Sequence, residues 1–271
     1  MTEHEAEVLR ARTFFKAALP LVEEVLETSP AKKNKIAKWN AAVQFRIKNE
    51  DPAAFMQFQN GECKVVQGVH EKPVITFTFK DPKTFNGFMT GAMVLPSISG
   101  LLHVGILIQV LMLLLSLKMI MPTAAVKTLE QKKLKVQMLL LFISRALQEM
   151  AAGGDEYVHR LTKAQRKKII EWTVNQQDDM PAAFIQIDMG VIKAGRGRSK
   201  RRPYLAMDFK DIDSAVAVLT GAVGAVDAQI QGLVVPRGTA EFGMKVGSLM
   251  KRVENFLMPK EGAKDEPVAE E

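Results

Sequence analysis

The side chains that could support catalysis are few and lie far apart in the sequence. The histidines are His4, His70, His103 and His159. No two of them are spaced as i and i+4, and the sequence contains no HExxH, GxSxG or GxxxxGK[ST] motif. Cys63 follows a predicted turn and has no base beside it. We therefore expect that the chain is not an enzyme and that it holds no metal and no cofactor.

The densest group of cationic side chains lies in and just before the stretch AGRGRSKRRP. We call this group the basic loop, and its members are Lys193, Arg196, Arg198, Lys200, Arg201 and Arg202. Three interpretations are open: a solvated loop, a contact with anionic lipid head groups or a coenzyme A phosphate, and a nucleic-acid contact. Each cation near an anionic membrane contributes about 1 kcal/mol. Because no groove-reading helix or zinc-finger motif is visible, we predict an anionic-surface contact and no nucleic-acid partner.

The longest apolar run covers residues 101–121, LLHVGILIQVLMLLLSLKMIM. A run of about 20 such residues can span a bilayer, so a transmembrane helix is one interpretation. The others are a wall of a ligand tunnel and a plain core or dimer contact, which leaves an oligomer open. A related stretch later in the chain carries Pro236, Arg237 and Gly238, which indicates a strand-to-helix junction. We therefore predict a short strand at 101–104 and an apolar helix at 106–120 that lines a tunnel.

Composition and charge are those of a globular protein with anionic partners. The chain has 271 residues, of which 47% are hydrophobic and 25% are charged, and this excludes a disordered or fibrous chain. The net charge is +7 and the isoelectric point is about 9.4. A single cysteine excludes an intrachain disulfide, and the polar N-terminal residues do not resemble a signal peptide. These features favour the cytoplasm, with peripheral contact at membranes.

The chain repeats itself over most of its length. The stretch PAAFMQ at 52–57 recurs as PAAFIQ at 181–186. The further matches are FKD at 79–81 with 209–211, Thr90-Gly91 with Thr220-Gly221, Trp39 with Trp172, and Gly100 with Gly232. We interpret these as two copies of one unit, the first repeat at 36–122 and the second repeat at 169–259, each preceded by helix.

Each repeat shows the periodicity of an antiparallel or mixed sheet covered by helices. Residues 43–47 alternate apolar and polar side chains, as a half-buried strand does. Asn60-Gly61 lies between two similar runs and predicts a hairpin. The β-rich run at 74–79 follows, and Asp81-Pro82 then begins a helix that ends near Gly91. A second short helix or turn is expected before the strand at 101–104.

The repeat also predicts how the chain divides into domains. Residues 1–122 form the first domain with its N-terminal helix, and residues 123–168 form a helical connector. Residues 169–260 form the second, diverged domain. Residues 261–271 are short and acidic, and we expect them to be disordered.

The order of these elements resembles the sterol carrier protein 2 (SCP2) lipid-binding domain. The resemblance rests on FQNGECKV at 58–65, FTFKD at 77–81 and FMTG at 88–91, and it is weaker in the second repeat. It implies two tandem α/β (α+β) domains, each with a five-stranded sheet and helices that enclose an apolar tunnel. It also implies a carrier of fatty acids, acyl-CoAs, phospholipids or sterols rather than a catalyst.

We therefore predict that the chain is a lipid-binding and lipid-transfer protein whose first repeat forms the tunnel. The predicted wall comprises Phe77, Phe85, Phe88, Met89, Leu102, Val104, Leu107, Leu111 and Leu114. Burial of each lipid methylene contributes about 0.8 kcal/mol, so a dry apolar slot is sufficient for binding. The alternative is a protein-interaction or accessory module for a lipid or quinone pathway, with no ligand of its own.

Overall fold

The computed structural model describes residues 1–257, and within them the chain folds around two five-stranded sheets, one in each repeat. This mixed arrangement of helices and strands confirms the predicted fold class. The predicted acidic tail, 261–271, and the last residues of the second repeat lie outside the described residues.

In the first half of the chain, three helices precede the sheet, one helix follows the fourth strand and one helix follows the fifth strand. Its helices are α1 (Glu3–Thr13), α2 (Leu21–Glu27), α3 (Pro30–Ile36), α4 (Pro82–Thr90) and α5 (Val104–Ser116). Its strands are β1 (Asn40–Ile47), β2 (Glu50–Gln59), β3 (Glu62–Gln67), β4 (Ile75–Phe79) and β5 (Ser97–Ser99). A π-helical turn, Phe14–Ala18, joins α1 to the α2 region, and a 3-10 turn, Leu117–Ile120, follows α5.

The second half repeats this order of strands, with two helices before its sheet instead of three and with one added helix before its last strand. Its helices are α6 (Leu129–Ala152), α7 (Glu156–Thr162), α8 (Ile212–Leu219), α9 (Ala225–Ile230) and α10 (Ala240–Leu257). Its strands are β6 (Lys168–Val174), β7 (Ala183–Asp188), β8 (Val191–Arg196), β9 (Leu205–Phe209) and β10 (Val234–Arg237). The added helix is α9, which lies between α8 and the last strand.

The two sheets have the same topology. The first sheet has the order β3-β2-β1-β4-β5, and the second has the order β8-β7-β6-β9-β10. In each sheet the central pair is parallel, β1 with β4 and β6 with β9, and the other pairs are antiparallel. The central strands β1 and β6 are buried along most of their length, as strands covered on both faces are.

The predicted turns and caps are confirmed in the first repeat. Asn60 and Gly61 connect β2 to β3 with φ angles of 52° and 78°, the left-handed values that this type of hairpin turn requires. The Asp81 carboxylate accepts a hydrogen bond of 2.7 Å from the backbone N–H of Thr84 and so caps α4. Gly91 ends α4 at a φ of 95°, where a side chain would be strained.

The predicted strand at 101–104 is wrong, because the last strand of the first repeat is Ser97–Ser99. It ends at Gly100, whose φ is 83° and whose Cα lies against the Val74 carbonyl, so that a Cβ would collide with it. Gly238 ends β10 against the Tyr204 carbonyl in the same way. Gly100 therefore corresponds to Gly238 and not to Gly232. The sequence match of Gly100 with Gly232 is wrong because helix α9 has no counterpart among residues 92–96.

The pairing of Trp39 with Trp172 is also wrong. Phe79 and Phe209 occupy the same position in the two repeats, because each pairs with the last residue of the central strand of its sheet. Two residues earlier, Phe77 is therefore the counterpart of Met207. Phe45 pairs with Phe77 and Trp172 pairs with Met207, so Trp172 is the counterpart of Phe45 in the centre of its sheet. Trp39 precedes β1 and packs edge-on against Phe58, with 5.2 Å between ring centroids.

The helices that precede each repeat lie in equivalent places. α2 covers β3 of the first sheet, and α6 covers β8 and β7 of the second. The backbone N–H of Val65 donates to the Glu23 carboxylate at 2.8 Å, and the N–H of Ala194 donates to the Gln148 side chain at 2.9 Å. These matched contacts fasten each sheet edge to its own helix.

The same helices also pack against each other and join the two halves through one continuous core. Two buried carboxylates cross this contact. Glu24 of α2 pairs with Arg196 of β8 at 3.1 Å, and Glu149 of α6 pairs with Lys16 at 2.9 Å. Burial raises the pKa of Glu24, and the nearby charge of Arg196 opposes that rise.

Candidate functional site

The nine predicted wall residues fall into three environments. Phe77 and Phe85 are fully buried in the core of the first sheet, where Phe77 stacks on Phe45 at 4.9 Å. Phe88, Met89, Leu107 and Leu114 are partly buried against that core. Leu102, Val104 and Leu111 are exposed. The structure does not bring these nine side chains around one space, and the closed tunnel stays a prediction.

The structure instead shows an open groove of about 590 Å³ beside the start of α5, which we call the α3–α5 groove. Its lining comes from the end of the α3 segment and from the first two turns of α5. The lining residues are Lys35, Trp39, Leu102, His103, Val104, Gly105, Ile106 and Gln109. Of the predicted wall, only Leu102 and Val104 line this groove. The sequence reasoning missed Trp39 because it treated that residue as a repeated core position.

Side chains from α3 and the residues just after it lie near both ends of α5. Near the C-terminal end of α5, the Lys32 ammonium donates to the Ser116 hydroxyl at 2.7 Å. Near the N-terminal end, Lys35 and Trp39 line the groove together with Val104. Burial lowers the pKa of Lys32, and the charge of the adjacent Lys35 lowers it further.

One apolar face of α5 is left uncovered. Val104, Ile108, Leu111 and Leu115 follow the helical spacing of i, i+4, i+7 and i+11, and all four are exposed. We call these four residues the α5 stripe. The helix is held to the core by other side chains, namely Val110, Leu113 and the following Leu117 and Ile120. The predicted helix at 106–120 is thus an α-helix over Val104–Ser116 followed by a 3-10 turn.

The matching face of α10 is buried in the second repeat. Counted from the closing glycines Gly100 and Gly238, the α5 stripe corresponds to Phe242, Val246, Leu249 and Val253. All four of these side chains are buried. Phe242 packs edge-on against Tyr204 with 5.0 Å between ring centroids. The equivalent helices therefore use opposite faces to contact their repeats.

The second repeat is closed where the first repeat is open. α10 packs against both α6 and α7. The Arg252 guanidinium of α10 pairs with the fully buried Asp155 carboxylate, which caps α7, at 2.8 Å. In the first repeat, the corresponding space between α3 and α5 is the groove. The two repeats have thus diverged at the helix that would cover a ligand.

The basic loop is partly engaged within the protein. Arg196 pairs with Glu24 and with Glu27, and Arg198 lies 3.3 Å from the Asp178 carboxylate. The other four members, Lys193, Lys200, Arg201 and Arg202, are exposed. Contact of this loop with an anionic surface stays a prediction.

The remaining candidate groups do not assemble into a reactive centre among residues 1–257. No three metal-ligating side chains come together in this part of the chain. Cys63 is buried, and burial raises the pKa of its thiol, which keeps it protonated. Within the same described residues, no helix combines the length and the apolar character that a membrane crossing requires.

Comparison with known proteins gives one family match and several structural similarities. Residues 22–94 match the SCP-2 sterol transfer family. A comparison with curated proteins found no match. The palmitated SCP2L2 from Aedes aegypti is 10% identical, with 40% of this chain and 90% of that chain covered and a TM-score of 0.29.

Two further solved structures are similar to parts of the chain. The sterol carrier protein domain 2 of Helicoverpa armigera is 14% identical, with 48% and 94% of the two chains covered and a TM-score of 0.31. The sec-alkylsulfatase Pisa1 from Pseudomonas sp. is 10% identical, and the match covers 55% of this chain but 28% of that chain, with a TM-score of 0.27.

The matched residues include the central part of the first repeat. They run from α2 through the first four strands and α4. The hairpin at Asn60-Gly61 and the cap at Asp81 both lie within them, whereas α5 lies beyond. Residues 22–94 of this chain are thus similar to the SCP-2 sterol transfer family, and the similarity covers the core of the first repeat.

Proposed function

We propose that the chain is a non-catalytic lipid carrier whose first repeat binds an apolar lipid in the α3–α5 groove. The observation that carries the proposal is the exposed α5 stripe, whose counterpart on α10 is buried. An apolar helix face in contact with water is unfavourable by roughly 25 cal/mol per Å². Closure of α5 over a bound lipid would remove this face from water, which would link ligand binding to the fold.

The volume and the lining of the groove support a lipid site. Its volume of about 590 Å³ lies within the range of roughly 300–1,000 Å³ that is typical of ligand pockets. Trp39, Leu102 and Ile106 offer apolar surface for a hydrocarbon chain. Lys35 and Gln109 offer a charge and an amide for a polar or anionic head. This combination favours an amphipathic lipid such as a fatty acid or an acyl ester.

Closure of α5 would enclose the ligand. In the second repeat, the face equivalent to the α5 stripe packs onto its repeat. If α5 adopted that orientation, Val104, Ile108 and Leu111 would cover the groove. We infer that the described conformation is the open one and that ligand exchange takes place through it.

The second repeat serves as the scaffold in this proposal. Its covering helix, α10, is held by the ion pair between Arg252 and Asp155. The apolar stripe of α10 is already buried against other residues of the protein. We also propose the domain division given by the sequence, at 1–122, 123–168 and 169–260. Within it, α6 is the covering helix of the second sheet as well as part of the connector, because it packs on β7 and β8.

Two glycines provide a matched test of the site. Gly105 lines the groove, and Gly243 lies at the same distance from the closing glycine in α10. A Cβ at either position would meet open space among the described residues, so both helices tolerate a larger side chain there. Gly105→Phe fills the groove, whereas Gly243→Phe places the same ring on the closed repeat.

Native mass spectrometry of the freshly purified protein, followed by organic extraction, tests the proposal. We expect one bound lipid per chain, lost in Gly105→Phe and kept in Gly243→Phe. A loss confined to Gly243→Phe would move the site to the second repeat. A bare mass for the unaltered chain, after incubation with fatty acids and acyl-CoAs, would contradict the carrier function and favour the interaction module.

A further inference from the structure

We propose that the outer face of α5 and the neighbouring lysines form a docking surface for an anionic lipid bilayer. The surface consists of the α5 stripe and a row of lysines along and just after α3, which we call the lysine row. The members of the lysine row are Lys32, Lys33, Lys35 and Lys38. This inference goes beyond the carrier function, because it assigns a partner to a surface whether or not the groove binds a lipid.

Helix α5 exposes several large apolar side chains that its packing on the core does not use. Ile108 and Leu115 are each 51% exposed, and the adjacent Met112 is 54% exposed. On α10, the residues that point away from the buried stripe include Lys251 and Asn255, which are exposed polar side chains. A helix at this place in the fold can therefore present polar residues to water. The leucine-rich exterior of α5 indicates contact with an apolar phase.

The cationic part of the surface lies directly beside the apolar part. Lys32 contacts Ser116 at one end of α5, and Lys35 lines the groove with Val104 at the other end. Lys33, Lys35 and Lys38 are exposed. The segments that build the surface contain no carboxylate, since the sequence has no Asp or Glu at 28–49 or at 82–129. Apolar side chains bordered by lysines match the acyl and head-group layers of an anionic bilayer.

The same charges disfavour a second copy of the chain as the occupant. A symmetric dimer through the α5 stripe would bring the same patch of each subunit together, so the lysine rows of both chains would border one interface. Residues 28–49 and 82–129 contain no Asp or Glu that could offset the repulsion between the lysines. Arg196 and Arg198 of the basic loop are already paired within the protein, and its four exposed cations make this loop the rival surface that the experiment must test.

Vesicle flotation with delipidated protein tests the proposal. The vesicles contain phosphatidylcholine alone or an equimolar mixture of phosphatidylcholine and phosphatidylserine. We expect binding to the mixed vesicles, reduced at least about tenfold in the double variant Ile108→Glu with Leu115→Glu. The matched control is Met244→Glu, on the exposed side of α10, and it should bind as the unaltered chain does.

A second set of variants tests how much the positive charges contribute to vesicle binding. Lys33→Gln, Lys35→Gln and Lys38→Gln together should weaken binding by about fivefold for each lysine, and added salt should have the same direction of effect. Lys200→Gln, Arg201→Gln and Arg202→Gln together test the basic loop. The inference is overturned if that loop variant loses binding and the lysine-row variant keeps it, or if the double α5 variant binds normally.

Two further outcomes separate this inference from its rivals. A chain that dimerises with rising concentration, and whose dimer is lost in the double α5 variant, would show that a second copy covers the surface and would overturn the bilayer assignment. Gly105→Phe should keep vesicle binding, since the added ring lies in the groove. If the unaltered chain binds extractable lipid but no vesicles, docking is wrong and the carrier function stands.

Discussion

Ile108 and Val246 occupy the same place in the two repeats, yet their side chains are 51% and 1% exposed. Each lies eight residues after the glycine that closes the last strand of its sheet. The difference shows that one covering helix is seated on its repeat and the other is turned outward. Lipid binding by the first repeat and membrane docking by α5 are both proposed on this asymmetry.

The first prediction concerns the stability of these two positions. Val246→Gln should lower the free energy of unfolding by about 2–4 kcal/mol, because it buries an amide in an apolar contact. Ile108→Gln should change it by no more than about 0.5 kcal/mol, because water already reaches that side chain. Urea unfolding of both variants measures the difference. Equal losses would mean that α5 is seated in solution as α10 is.

The second prediction concerns the glycine that ends β5. Gly100→Ala should destabilise the chain by more than about 2 kcal/mol, since the new Cβ would collide with the Val74 carbonyl at a positive φ. Gly91→Ala is the control, because its φ is also positive but a Cβ there would meet open space among the described residues. Its loss should be about 1 kcal/mol. Thermal unfolding of both variants measures the two losses of stability. Equal losses would contradict the close approach of Gly100 to the Val74 carbonyl.

The third prediction concerns the cap of α4. The Thr84 hydroxyl and backbone N–H both donate to Asp81, and these hydrogen bonds hold the pKa of that carboxyl below its ordinary value. The stabilisation is therefore present above the unfolded pKa and is lost as the pH falls through the folded pKa. Asp81→Ala should lose about 1 kcal/mol near neutral pH and much less at about pH 3. Denaturation at the two pH values checks this convergence.

The fourth prediction concerns the buried acid between the two halves. Burial raises the pKa of Glu24, so its charged form is disfavoured in the fold and that contribution to stability is lost as the pH rises through the folded pKa. Arg196→Gln should therefore destabilise the chain more than Glu24→Gln does at neutral pH, because it removes one of the two arginines, Arg196 and Arg145, whose charges favour the ionised form of the buried carboxylate. Unfolding of both variants from acidic to neutral pH tests this order. A larger loss for Glu24→Gln would show that the ion pair outweighs the burial of the acid.

The sequence by itself determined the features that local residues encode. The internal repeat, the hairpin at Asn60-Gly61 and the cap at Asp81 were all predictable, because a left-handed turn or a capped helix depends on residues within a few positions of one another. The hydrophobic patterns of the strands then specified two sheets of one kind. The later parts of the repeat were predicted less well, since Gly100 was matched to Gly232 rather than to Gly238.

Only the tertiary structure decided which way α5 faces. An amphipathic helix such as α10 shows its buried face in its sequence, because its polar residues are confined to the other side. α5 is apolar on every side, so neither face is excluded from the core by its own residues. Which face is covered depends on the neighbouring elements, and here α3 and Trp39 leave a groove where the second repeat places α7 against α10. The position of the candidate site is thus a property of packing between distant segments, which periodicity along one helix does not contain.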